Sequence, residues 1–229
     1  TLGNVQAFIA GDEAWTALNW LATDTVPAVA ADAWLSPEVR AESVAFLQYT
    51  SGSTGTPRGV MVTHANLLYN THYIQESARL HADTVSATWL PSFHDMGLID
   101  GLLSPLYTGY LGVVMSPVSF IQRPARWLEA ITRFRVTHCG GPNFGYALCV
   151  QKIPPEVRAT LDLSCWESAY NGAEPLRAST LREFTAAFAP CGFHARTHYP
   201  CFGMAEATLL VTGCDIRREP VVRRVERVA

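Results

Sequence analysis

The sequence predicts an α/β fold of mostly parallel sheet with flanking helices. Strand-like and helix-like stretches take turns along most of the chain, and such alternation implies parallel strands covered by helices. The apolar run 44–49 has the length and bounding of a buried strand. Several loops that leave strands carry unusual chemistry, as expected where ligands collect at strand carboxyl ends.

The 229 residues, 48% hydrophobic and 16% charged, can bury a sizeable core as one large domain or two tightly joined subdomains. After an opening rich in Ala, Trp and Pro, strand 44–49 leads through a Gly, Ser and Thr loop into strand 59–63. Thr63 can cap a helix reaching about Leu80, with Leu67, Ile74 and Ala78 on one face. Strand 85–90, a helix from about Gly97, strand 112–115 and a helix opened by Pro124 and reaching Phe134 follow. Next come strand 136–139, a helix from Asn143, strand 167–170, helix 175–188 and strand 194–199.

A formal charge of −3 gives no general field that would draw the chain to nucleic acid or anionic lipid. The longest apolar stretches, such as 109–118, stop well short of the roughly 20 residues that cross a bilayer, so no transmembrane segment is expected. Six cysteines without a CxxC pair read as free thiols of a reducing cytoplasm. The absence of an initiator Met and of a basic-then-apolar leader reads as a fragment without a signal peptide.

Five hydroxyl residues, Thr50, Ser51, Ser53, Thr54 and Thr56, surround Gly52 and Gly55, with Arg58 and Gly59 close behind. Glycines admit backbone N–H groups to an anion, hydroxyls add donors and a guanidinium supplies forked charge, so this loop reads as a phosphate cradle. A P-loop is excluded, because no Gly-Lys followed by Ser or Thr is present there. His194 and His198, four apart on an expected strand, would stand about 13 Å apart, too far for one zinc.

YTSGSTGTPRGV resembles the phosphate-binding signature of the adenylate-forming (AMP-binding) superfamily. WLPSFHDMGLI, GGPNFGYALCV, YNGAEPLR and YPCFGMAEATLLV, in that order, are similar to its fatty acyl-AMP ligase branch. The resemblance implies that residues 1–229 are a fragment of the large N-terminal adenylation domain. Residues 213–229 would begin the insertion of that branch, and the C-terminal domain, with its catalytic Lys, would lie elsewhere. It places the phosphates on Thr50, Ser51, Gly52, Ser53, Thr54, Gly55, Thr56, Arg58 and Gly59. Adenine would lie between the Asn171, Gly172, Ala173, Glu174 loop and Phe202, beside Gly203 and Met204.

The same resemblance implies that Glu206 is a ligand of Mg2+ and that His94 sits near the acyl carboxylate and the α-phosphate. Arg58, His94 and Glu206 are thus the catalytic candidates. Gly141, Pro142 and Asn143 would approach the acid. Many relatives have Tyr where Phe202 stands and Thr where Ala205 stands, which removes a hydroxyl toward the α-phosphate. The implied activity is ATP- and Mg2+-dependent conversion of a long-chain fatty acid to acyl-adenylate, for the phosphopantetheine thiol of an acyl carrier protein in lipid or polyketide biosynthesis. Rival readings are a fatty acyl-CoA ligase and a non-catalytic adenylate- or acyl-binding module.

Overall fold

A computed structural model describes residues 13–22, 25–50, 57–223 and 225. The chain divides into two units, Thr1–Val39 and Arg40–Ala229. In the first, the described residues form a short helix, Glu13–Thr16, and a 3₁₀ turn, Ala28–Ala33. Trp20 donates its indole N–H to the Trp15 carbonyl at 2.9 Å.

The second unit opens with β1 (Val44–Thr50) and β2 (Arg58–Thr63), paired antiparallel with Thr50 opposite Arg58. They form their own two-stranded sheet, so the hydroxyl loop does not leave a strand of the main sheet as the sequence suggested. A connection this short reaches only an antiparallel neighbour, whereas a parallel one needs a crossover of a dozen or more residues. Residues 51–56, and with them the calls on Ser51, Gly52, Ser53, Thr54, Gly55 and Thr56, lie outside the described residues.

Thr63 ends β2 and caps α1 (His64–Ala78) as expected. Its hydroxyl accepts from the Asn66 N–H, and the Asn66 side chain accepts from the Thr63 N–H, each at 3.2 Å. Arg79 closes the helix in the left-handed conformation, φ 54°.

The main sheet has the order β4-β3-β5-β6-β7-β8 among the described residues, built from β3 (Val85–Thr88), β4 (Leu111–Val114), β5 (His138–Gly141), β6 (Ser168–Asn171), β7 (His198–Gly203) and β8 (Leu210–Gly213). All neighbours are parallel except β7 and β8. The expected strand 194–199 is displaced. Ala195–Thr197 is a 3₁₀ turn, and β7 begins at His198 because its second half gains an antiparallel partner, β8, that no local pattern announces.

The helix expected from Gly97 is a π-helical turn, Met96–Leu103, running into α2 (Ser104–Thr108). Two short helices were not anticipated: α3 (Pro117–Gln122) and α6 (Pro155–Arg158). α4 (Ala125–Phe134) and α5 (Asn143–Lys152) match the reading, and α7 (Ala178–Phe188) starts three residues late.

Side chains alternate across a strand, and the registers sort the two faces. One face carries Ala87, Cys139, Ala169 and His198, and Trp89 continues it. Here Trp89 stacks on Phe120 at 3.8 Å and meets Trp127, which in turn packs on Tyr146 and Trp166. This is a dry aromatic core beneath α3, α4, α5 and α7.

The other face carries Ser86, Thr88, His138, Ser168, Tyr170 and Tyr199, all buried. Asp100 of the π-helical turn meets His138 on that face, and Ile74 and Ala78 of α1 line a cavity with His138, Tyr170 and Tyr199.

Candidate active site

The cavity on the polar face has a volume of about 410 Å³. Its wall brings together parts far apart in sequence: Gln48, Tyr49 and Thr50 at the end of β1, His94 and Asp95, Gly172 and Ala173 after β6, and Gly203 and Met204 at the end of β7. A volume of this size and a mixed lining suit a small-molecule site.

His94 is held in its loop by two local contacts. Its Nδ1 lies 2.8 Å from Asp95 Oδ1, which also accepts from the Met96 N–H at 2.7 Å. The bond to Asp95 raises the His94 pKa above its ordinary 6.5, partly offset by burial.

The loops after β5 and β6 cap each other's helices. The Glu174 carboxylate accepts from the Phe144 N–H at 2.6 Å at the start of α5. Asn143 Oδ1 accepts from the Arg177 N–H, and its Nδ2 donates to Thr180 Oγ1, at the start of α7, both at 3.2 Å. Each side chain satisfies a helix N-terminus that would otherwise be left with unpaired donors. Gly141, Pro142 and Asn143 are not among the residues lining the cavity; Trp89 lies over Gly141, and Asn143 is committed to α7. Asn171 is 0% exposed, with neither side-chain amide atom bonded among the described residues.

Phe202 is 57% exposed, an aromatic face available for stacking beside Gly203. Glu206 sits on the 3₁₀ turn Ala205–Ala207 and borders a neighbouring groove with Val60, Asn66, Tyr69 and Tyr73. Asn70 of α1 anchors this turn in a way the sequence reading missed. Its Nδ2 donates to the Ala207 and Leu210 carbonyls at 3.2 and 2.9 Å, and its Oδ1 accepts from the Leu210 N–H at 3.0 Å. An Asn on an otherwise apolar helix face was the available signal.

Among the described residues, four non-glycine positions have positive φ. Arg79 and Arg135 end helices, whereas Ala173 (φ 65°) and Thr208 (φ 74°) fall in the two loops assigned to adenine and metal. Such conformations cost about 1–3 kcal/mol each and tend to mark functional loops. Arg58 is the first residue of β2 and is exposed.

His194 precedes the 3₁₀ turn, while His198 is buried against α7 with Nε2 3.1 Å from the Leu181 carbonyl and 3.0 Å from Thr185 Oγ1. No cluster of three or more His, Cys, Asp or Glu able to hold a metal occurs among the described residues. A single carboxylate still fits Mg2+, which commonly takes one or two carboxylates and completes its shell with substrate phosphates and water. All six cysteines are free, and burial pushes the Cys201 thiol in the cavity wall up to about 12, so it is no nucleophile.

The fold and this assembly of loops are those of an adenylate-forming enzyme, and the AMP-binding enzyme family matches residues 5–228. The chain belongs to that family. It is 49% identical over 195 residues to the medium-chain-fatty-acid–[acyl-carrier-protein] ligase JamA of Moorena producens, covering 85% of this chain and 33% of that protein. The long-chain-fatty-acid–AMP ligase FadD32 of Mycolicibacterium smegmatis is 39% identical over 214 residues, covering 90% and 34%. The fatty acyl-adenylate ligase from Legionella pneumophila, solved with acyl adenylate and pyrophosphate, superposes with a TM-score of 0.82 at 47% identity over 84% of this chain and 34% of that one. The chain therefore spans about a third of the length of the curated relatives it matches.

Proposed function

We propose that the protein carrying this chain activates a fatty acid with ATP, forming acyl-adenylate and pyrophosphate, for delivery to the phosphopantetheine thiol of an acyl carrier protein. The observation that carries this reading is the single cavity on which His94, Gly172, Ala173, Gly203 and Met204 converge. Similarity to enzymes named fatty-acid ligases of acyl carrier protein supports the substrate and the partner. No helix among the described residues is long and apolar enough to cross a membrane. The free thiols suit a reducing compartment such as the cytoplasm.

A fatty acid is ionised near neutrality, since carboxyl groups titrate near about 4, so no general base is required. A carboxylate oxygen attacks the α-phosphorus of ATP and the bond to the pyrophosphate oxygen breaks. The difficulty is bringing anions together and stabilising the leaving charge. His94, biased toward imidazolium by Asp95, offsets charge between carboxylate and α-phosphate. Arg58 and the hydroxyl loop would hold the outer phosphates. The loop at Gly172 and Ala173, with Phe202, would clasp adenine. Mg2+, held by Glu206, would supply charge neutralisation across the phosphate oxygens.

The test is acid-dependent ATP–pyrophosphate exchange by the complete protein, over acids of increasing chain length, with the acyl-adenylate trapped by hydroxylamine. Exchange and hydroxamate are expected with aliphatic acids. Exchange with no acid would reject the reading, and efficient formation of acyl-CoA would favour a CoA ligase instead.

A further inference from the structure

The cavity is not uniformly apolar. Ile74, Ala78, Met96, Leu209 and Leu210 form greasy walls, yet Asp100, His138 and Tyr170 share the same lining. His138 opens β5 and Gly141 ends it, so at about 3.3 Å per residue His138 lies roughly 10 Å below the carboxyl edge of the sheet. That depth sets His138 apart from the loops assigned to ATP.

The group is buried and incompletely matched. His138 Nε2 lies 3.1 Å from Asp100 Oδ1, with side chains only 4% and 9% exposed. The other ring nitrogen of His138 has no hydrogen-bond partner among the described residues. The His138 and Tyr170 rings are 5.1 Å apart. Gly140 makes the arrangement possible, because a side chain there would strike the Tyr170 ring and carbonyl.

Buried polar atoms are normally paired, and a buried histidine–carboxylate contact with an unmatched ring nitrogen is a poor lining for an aliphatic channel. Burial and the Asp100 charge hold the Tyr170 hydroxyl protonated, and it and the His138 nitrogen both stand without a hydrogen-bond partner among the described residues. An aliphatic chain can satisfy neither. A hydroxyl or keto oxygen on the incoming acid can.

We propose that Asp100, His138 and Tyr170 form a polar subsite at the inner end of the acyl cavity, which selects a carboxylic acid bearing a hydrogen-bonding oxygen on its chain remote from the carboxylate. This inference rests on the adenylation reading above.

The experiment is ATP–pyrophosphate exchange by the complete protein with paired acids of equal carbon count, one unmodified and one carrying an ω-hydroxyl, across a range of lengths. At the length that reaches the subsite, the hydroxy acid is expected to show kcat/KM higher by about tenfold or more, since a site built around a hydrogen bond discriminates against an analogue that cannot make it. Asp100→Leu combined with His138→Leu removes both polar side chains together and should shift preference to the unmodified acid. Asp100→Asn, which keeps the shape, should reduce the preference. A wild-type preference for unmodified acids at every length, or a hydroxy-acid preference that survives in the double Leu variant, overturns the subsite. Exchange with no acid at all overturns the adenylation reading, and the subsite with it.

Discussion

At the scale of single residues, the site separates side chains that meet a ligand from those that hold others in place. His94 and its partner Asp95 line the cavity, while Glu174 and Asn143, read from their motifs as ligand contacts, are engaged in capping α5 and α7. Glu206 belongs to no cluster of three or more His, Cys, Asp or Glu among the described residues, and it is the carboxylate proposed to hold the metal. Glu206→Gln should therefore raise the Mg2+ concentration needed for half-maximal exchange by a factor of ten or more, as expected when a charged ligand is lost. A superimposable Mg2+ titration would remove Glu206 from the site. The signal for Glu206 lay in its motif, but that for Asp100 and His138 was weaker. For His138 it lay in the alternation of VSAT, HCGG and SAYN, where every second residue on one face is polar or glycine within an otherwise buried sheet, and for Asp100 in a lone carboxylate within the apolar run MGLIDGLL.

At the scale of elements, α1 both begins and ends with local chemistry that decides its stability. Its end at Arg79 places a side chain in the left-handed region, which costs a non-glycine residue about 1 kcal/mol. Arg79→Gly should raise unfolding stability by about that amount, measured by urea denaturation; a loss instead would show that the Arg79 side chain outweighs the strain. Along the same helix, Asn70 makes three hydrogen bonds to the segment 207–210. Asn70→Ala removes all three bonds and should cost about 1–3 kcal/mol. Because that segment follows directly on the Glu206 turn, the same variant should also raise the Mg2+ requirement. Lowered stability with an unaltered Mg2+ titration would mean that the turn is held by its own γ-turn at Thr208, where the Leu209 N–H bonds the Ala207 carbonyl at 3.0 Å.

At the scale of the whole molecule, the aromatic face of the sheet contains one titratable group that links folding to pH. Burial beneath α7 lowers the His198 pKa from 6.5 to about 4, partly opposed by its bond to Leu181. Between those values the unfolded chain binds a proton that the folded chain does not, so the contribution of His198 is complete above pH 6.5 and is lost as the pH falls toward 4. The unfolding free energy of the complete protein should fall across this window, and His198→Gln should flatten the fall. An identical pH slope in the variant would place the titration elsewhere. The six free thiols add nothing in this window, since burial raises their pKa values above the ordinary 9.

The sequence by itself determined the α/β class, the order of most elements and the Thr63 cap. These depend on period, capping and turn residues, interactions confined to a few neighbours. Only the tertiary structure decided that β1 and β2 stand apart as a hairpin, that β8 extends the sheet antiparallel, and which loops share a cavity. Asp100 meets His138 across 38 residues, Glu174 meets Phe144 across 30 and Asn70 meets Leu210 across 140. Such pairs are set by the order of strands and by the face each helix covers, and that order arises from burying a whole sheet at once rather than from any local preference.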